Sequence, residues 1–438
     1  MTKTSERAGT VAVAADAAAT TTATNAPPPS SSTDEALPVF DHAPLVRLLE
    51  QQQDNPNHHR ITAAELDADQ DLARLCRGVA DSLARTSCLL VRDPRVPPRA
   101  NDAFLDALER YFARDHATKL RDCRPELHYQ VGATPPHVET PRCVADPSVC
   151  ESVLQTQRPG HEAVRPQKAD LKWRFFWRVG ARPEKTDFPE LNAPQVVPEG
   201  LEQEWPALMD AWGGALLSAV EAVAVAAAHG LGLRGGSEGA EEESTSTIAA
   251  ADPCALRDVM RGGPHLLAPT GSDLCPASGT TAGDVLAGFH YDLNLLTIHG
   301  KARYEGLNVW LRDGTRLAVR VPDGCLLLQA GKQLELFTGG RVVAGWHEVL
   351  ATETALQMAR ERLGGKESGG EGWRVSSTLF AHARSDATLR PLLPFLEAGG
   401  GEEEEDEAAW RRRFAPVKAG AQVQAELEAI KLAASAKT

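Results

Sequence analysis

The sequence predicts a mainly β protein with flanking helices, built as a double-stranded β-helix (jelly-roll) core with an N-terminal α/β region. Two observations point there. Between residues 288 and 349, short apolar or alternating runs are separated by turns bearing Gly, Asp and Pro, the signature of a cradle of short antiparallel strands. Between Trp205 and Gly230, apolar residues recur at helical spacing over a long stretch, which reads as a helix lying on a sheet. Hydrophobic residues make up 42% of the 438, ample for a core of this kind.

Taken in order, residues 1–36 are rich in Ala, Thr, Ser and Pro; such a composition cannot bury a core and is expected to be disordered. Residues 37–170 form the N-terminal α/β region, and 171–395 the jelly-roll domain. The run Leu171–Val179 is the densest aromatic cluster of the chain. As a strand it puts Trp173, Phe175 and Trp177 on one face and Arg174, Phe176 and Arg178 on the other. The helix of 205–230 starts after Trp205-Pro206 and ends at Gly230. Gly288 to His299 is rich in aromatic, Leu, Ile and Thr residues and reads as a strand. Gly306–Leu311 and Arg316–Val321 flank Asp313-Gly314, a hairpin signal. Pro322-Asp323-Gly324 turns into the apolar run Cys325–Gln329, and Gly339-Gly340 into Arg341–Val349. Insertions are expected near 235–246, which is acidic, and 353–372, where helix-like Glu353–Leu363 precedes a Gly-rich stretch. Residues 396–438 hold an acidic run and a closing helix over Val417–Ala433.

The residues with chemical potential come in one ordered series: His290-Tyr291-Asp292, then His347, then Arg374-Val375-Ser376. Two imidazoles and a carboxylate are the ligand set that grips a non-haem Fe(II) by one face and leaves the opposite positions open. On a strand His290 and Asp292 project to the same side, so both can reach one ion. An Arg with a nearby Ser can anchor a distant carboxylate. His137-Val138-Glu139 is a competing His-x-acid pair, but it follows Thr134-Pro135-Pro136 and reads as a loop. His265, His299 and His382 are taken as hydrogen-bonded side chains, and Tyr291 as packing beside the metal. The eight Cys residues show no Cys-x-x-Cys spacing and are expected as reduced, mostly buried thiols.

The stretch Gly288–Phe380 resembles the catalytic domain of the isopenicillin N synthase-like superfamily of Fe(II)/2-oxoglutarate-dependent dioxygenases. The resemblance rests on His290-x-Asp292, Leu295-Leu296-Thr297, Gly306-Leu307, Pro322-Asp323-Gly324, Thr338-Gly339-Gly340-Arg341, His347-Glu348-Val349 and Arg374-Val375-Ser376, in that order. Upstream, Leu37–Asp41 is similar to the family's opening strand, Leu72–Leu83 to an amphipathic helix, Cys88–Val91 to the next strand and Ala103–Phe112 to the helix after it. The chain departs from the family in two places. Arg374 comes unusually late after His347, and His265–Thr270 has no Tyr where the family often offers one to the co-substrate. The resemblance implies Fe(II) on His290, Asp292 and His347, with 2-oxoglutarate and O2 as co-substrates. Arg374 would pair with the distal carboxylate and Ser376 would add a hydrogen bond. Oxidation of a small-molecule substrate, by default hydroxylation, would accompany release of succinate and CO2. Apolar walls such as Leu295, Leu328 and Trp346 are expected near the metal, and Arg174 or Arg178 facing it would favour an anionic substrate. The rival readings are an Fe(II) oxidase that does without 2-oxoglutarate, and an inactive barrel serving as a binding scaffold.

A net charge of −14 argues against a nucleic-acid partner. No run of about 18 or more apolar residues occurs, so no membrane-spanning helix is expected. The first 36 residues lack the apolar core of a secretory signal; the cytoplasm is the expected location, with an organelle reached through an Ala- and Ser-rich transit segment as the alternative. Nothing in the sequence speaks to an oligomeric state.

Overall fold

The computed structural model describes residues 37–53, 60–234, 251–398 and 407–430. The readings made for 1–36, for the insertion at 235–246 and for the acidic run at 399–406 lie outside the described residues.

The strands in chain order are β1 (Val39–Asp41), β2 (Cys88–Arg92), β3 (Gly132–Thr134), β4 (Trp173–Val179), β5 (His265–Leu267), β6 (Thr270–Asp273), β7 (Val285–Tyr291), β8 (Leu296–His299), β9 (Leu307–Trp310), β10 (Arg316–Ala318), β11 (Leu326–Ala330), β12 (Trp346–Leu350), β13 (Trp373–Ser376), β14 (Thr378–Ala381), β15 (Thr388–Leu389) and β16 (Val417–Lys418). They form a large sheet in the order β1-β2-β11-β8-β14-β5-β4-β6-β13, with β3 also on β4, a small sheet β10-β9-β12-β7, and the β15-β16 pair. Apart from the parallel β1-β2 pair, the large sheet is antiparallel.

The central strands are apolar runs because they are covered on both faces: all five residues of β11 and all seven of β4 are buried. Behind the large sheet lies the helix Trp205–Gly230, apolar nearly all round, as a core helix must be. It is long and apolar enough to cross a bilayer by composition. Here it is wrapped by the helices Gln70–Thr86 and Pro98–Phe112 and by β4, β8 and β14. Its last residue, Gly230, touches the helix Gln70–Thr86 so closely that a Cβ there would collide with the Cys76 carbonyl. Asp69 starts the helix Gln70–Thr86 by accepting from the Asp71 and Leu72 amides.

The two sheets face each other. At one end Cys88, Leu90 and Leu327 of the large sheet meet Val309 and Leu311 of the small one in an apolar cluster; at the other end a cavity opens. The hairpin read from Asp313-Gly314 is present, with Trp310 opposite Arg316 and Gly314 at φ +81°. The insertion before Arg374 is a packed element: Glu353–Leu363 is helical, and Ala355, Leu356 and Ala359 join Leu274, Leu286 and Tyr304 in a cluster of their own. Arg362 ties it to Glu109 at 3.1 Å. The closing helix spans Ala419–Ala429.

The run Gly288–His299, read as one strand, is two. β7 stops at Tyr291, the chain turns through Asp292–Leu295, and β8 joins the other sheet. The expectation of reduced thiols also needs correction at one place: Cys143 and Cys150 form a disulfide, with Cα atoms 5.6 Å apart. They lie on consecutive short helices, Arg142–Ala145 and Ser148–Gln155, whose tight connection brings together cysteines that no motif spacing links. The other six are free.

Candidate metal centre and its cavity

His290 near the end of β7 and His347 on β12 are directly opposite in the antiparallel register. Their rings lie 4.3 Å apart between centroids. Strand alternation turns their neighbours to the other face, where Phe289 stacks on Trp346 at 4.7 Å and meets Trp310 edge-on at 4.9 Å. Asp292, one residue past β7, brings its Oδ1 to 3.8 Å from His290 Nε2 and 3.9 Å from His347 Nε2. One donor atom from each of the three lies within 4.8 Å of the others, and among the described residues this is the one such cluster of three potential ligands.

The hydrogen bonds leave these donors free. His290 Nδ1 lies 2.5 Å from the Gly288 carbonyl and His347 Nδ1 3.1 Å from that of Gly345. A carbonyl only accepts, so each Nδ1 carries the proton and each Nε2 keeps its lone pair for an ion. Burial and the facing His347 imidazole push His290 down to about 3, so it is neutral at pH 7. Burial works against ionisation of Asp292, but the facing imidazoles of His347 and His290, with Thr297 Oγ1 donating to Oδ2 at 2.6 Å, hold the carboxyl below its ordinary value. Two imidazoles with their Nε2 atoms free and a carboxylate on one side fit a divalent ion with open positions opposite.

Arg374 on β13 and Ser376 two residues on line the same cavity, of about 210 Å³. Arg374 is 5% exposed, and its Nε donates to the Glu305 carbonyl at 3.0 Å. Among the described residues no carboxylate pairs with it; burial alone lowers its pKa, to about 10. Ser376 Oγ is 2.7 Å from Thr378 Oγ1, which is 3.0 Å from His299 Nδ1. His299 Nε2 in turn meets Gln329 at 3.0 Å. His299 is thus a hydrogen-bonded side chain as expected, and so is His265, whose Nδ1 accepts from the His382 amide at 3.1 Å. His382 borders the cavity, its Nδ1 buried without a hydrogen-bond partner among the described residues.

The two arginines of β4 separate. Arg174 and Phe176 face the cavity, while Arg178 turns to Asn192 at 3.3 Å. On the opposite face Phe175 packs on Tyr111 and Trp205, and Trp177 Nε1 donates to Asp210 at 2.7 Å.

The walls differ from those expected. Leu295 and Leu328 are fully buried in the main core, and Trp346 lies in the aromatic layer behind the histidines. Parity explains the misplacement of Leu328, because its neighbour Gln329 is the residue that reaches inward to His299. The apolar lining instead comes from Phe176, Leu266, Phe380 and Val349, and from Val423 and Leu427 of the closing helix.

No family model and no curated protein matches the chain. Solved structures do. A full-length Neurospora crassa protein in complex with alpha-KG is similar over 91% of this chain and 98% of that one, at 13% identity and a TM-score of 0.59. A protein from Caulobacter crescentus described as of the 2OG-Fe(II) oxygenase family covers 82% and 95%, at 20% identity and a TM-score of 0.58. A dioxygenase for auxin oxidation from rice covers 90% and 95%, at 18% identity and a TM-score of 0.50. The chain has the fold of the 2-oxoglutarate–Fe(II) oxygenases.

Within that oxygenase fold, one group of cavity residues had been passed over in the sequence. Glu139, the acidic member of the competing His-x-acid pair, sits in the cavity wall. Its partner His137 is exposed. Glu139 is held at 2.7 Å by Arg174 Nη1 and at 3.6 Å by Lys172 Nζ. Lys172 also bonds Asp170, and Asp170 accepts from the Gly288 amide at 2.9 Å. Burial opposes ionisation of Glu139, but Arg174 and Lys172 overcome it and hold the carboxyl at about 2. The alternation of Asp170, Lys172 and Arg174 was the available signal, since it places three charges on one face of the same extended segment.

Proposed function

We propose that this protein is a non-haem Fe(II), 2-oxoglutarate-dependent oxygenase that hydroxylates a small molecule. The observation that carries the reading is the pairing, in one cavity, of a three-donor face with a buried guanidinium that has no carboxylate partner among the described residues. His290 Nε2, His347 Nε2 and Asp292 Oδ1 would hold the ion. Fe(II) with 2-oxoglutarate and O2 supplies the oxidising chemistry, in which the keto acid goes to succinate and CO2 and one oxygen atom goes to the substrate.

The chain's own groups do the positioning. The Gly288 and Gly345 carbonyls fix the imidazoles, and Thr297 fixes the second oxygen of Asp292. Arg374 offers a planar fork for the distal carboxylate, with Ser376 Oγ beside it. Phe176, Leu266, Phe380 and Val349 give the cavity an apolar wall beside the site, against which a bound substrate would displace water. The Neurospora crassa protein has been captured with alpha-KG and thymine, and JOX2 with 2OG, Fe and JA; both support a small-molecule substrate here.

Oxygen uptake and succinate release by the Fe(II)-loaded protein test the reading. Slow turnover that needs added 2-oxoglutarate is expected even without a primary substrate. Uptake that is indifferent to 2-oxoglutarate would contradict it. Thr297→Val, which removes the hydroxyl donor to Asp292 but keeps the shape, is expected to weaken Fe(II) binding by about 10-fold, at the low end of the ~10–100-fold that outer hydrogen bonds contribute. Anaerobic equilibrium dialysis checks this.

A further inference from the structure

We infer that the substrate is an uncharged, largely apolar molecule, and that Glu139 sets this preference by cancelling the Arg174 cation on the wall that would otherwise recruit a carboxylate. The inference rests on the functional reading above and names the substrate class of that site.

The charges of the cavity come in opposed sets. Arg174 faces the cavity and taken alone would favour an acid. Its guanidinium, however, is committed to Glu139 at 2.7 Å, while Lys172 is shared between Glu139 and Asp170. Asp170, Lys172 and Arg174 side chains are each 5–8% exposed and Glu139 is 19% exposed, so this group of two anions and two cations is largely out of water. At the mouth, Arg142 and Glu426 lie 3.7 Å apart, again one of each sign. In the working enzyme, the charges of a divalent ion, Asp292, a dicarboxylate and Arg374 cancel as well. A further carboxylate or ammonium would therefore enter a poorly hydrated site whose charges are paired among the described residues, and would lose its own hydration without an uncompensated opposite charge to offset it.

The remaining surface suits an apolar body with a neutral polar group. The Arg174 guanidinium lies over the Phe176 ring, 4.1 Å from its centre, and Phe176 meets Phe380 edge-on at 6.3 Å. Leu266 and Val349 continue the apolar wall, and Gln130 and Thr140 offer uncharged polar groups. An amide, ketone or alcohol can bond to these without disturbing the charge balance.

The test uses the Fe(II)–2-oxoglutarate enzyme without oxygen and two probes of matched shape, phenylacetamide and phenylacetate, followed by calorimetric titration. The amide is expected to bind at least about 10-fold more tightly than the acid. In Glu139→Gln, which keeps the shape but leaves one net cation, the ratio is expected to move by at least about 10-fold toward phenylacetate. Arg174→Gln should act in the opposite sense and gain affinity for 2-phenylethylamine, which keeps the test decisive if one variant does not fold. Equal or tighter binding of phenylacetate by the wild type, an unchanged ratio in the variants, or no binding of either probe would overturn the inference. Repeating the titrations on metal-free protein separates the two claims. Failure to bind Fe(II) and 2-oxoglutarate removes the functional reading, whereas the shift caused by Glu139→Gln reports on the cavity wall alone.

Discussion

Asp292→Ala is expected to abolish stoichiometric Fe(II) binding and 2-oxoglutarate turnover together. Asp292 is the only anionic donor of the three-donor face, and its Oδ1 lies nearly equidistant from the two Nε2 atoms. Without it only the two imidazoles remain, and the loss should exceed the ~10–100-fold typical of an outer hydrogen bond, reaching at least about 1,000-fold in affinity. The fold should survive. The Asp292 carbonyl still accepts from the Lys332 amide at 2.8 Å, and removing the carboxylate takes away a buried charge whose one close donor among the described residues, without metal, is Thr297. Metal analysis of the purified variant, with circular dichroism as the folding control, checks both halves. Stoichiometric iron in Asp292→Ala would refute the ligand assignment.

Arg374→Met is expected to separate metal from co-substrate. The substitution keeps the aliphatic length in a buried strand but removes the guanidinium, and the change should leave Fe(II) binding within about 3-fold of wild type. Affinity for 2-oxoglutarate should fall by about 100-fold or more, since truncating one partner of a buried, hydrogen-bonded charge pair costs ~2–5 kcal/mol. Saturation of succinate release with 2-oxoglutarate measures it. A variant with unchanged affinity would show that the distal carboxylate binds elsewhere, and the late position of Arg374 in the chain would then be a departure in function as well as in spacing.

The parts of this site legible in the sequence were those that depend on local pattern. His290-x-Asp292 announces two side chains on one side because the strand repeat is two, and Asp313-Gly314 announces a hairpin because only a turn tolerates that pair there. The insertion before Arg374 was visible as a helix from Glu353–Leu363, although its packing against Glu109 was not. What stayed hidden depends on pairing between distant segments. Nothing local says that His347 sits directly across from His290, or that β7 breaks after Tyr291 so that Asp292 leads into the opposite sheet.

The same limit explains the misplaced walls. Leu295, Leu328 and Trp346 are as apolar as the residues that do line the cavity, and only the parity of each strand against its sheet decides which way they point. Glu139 was set aside because its surroundings read as a loop. The geometry shows that loop backing onto the start of β4, where Lys172, just before the strand, and Arg174 within it pair with Glu139. Cys143 and Cys150 fall in the same class, brought together by the packing of two short helices.

The most direct test of the central claim is an anaerobic Fe(II) titration of the wild-type protein, with and without 2-oxoglutarate, followed in the visible range. The expected result is one equivalent of iron and a weak charge-transfer band that forms only when both are present. One equivalent of iron with no band would contradict the co-substrate role, and no iron bound at all would contradict the metal centre itself.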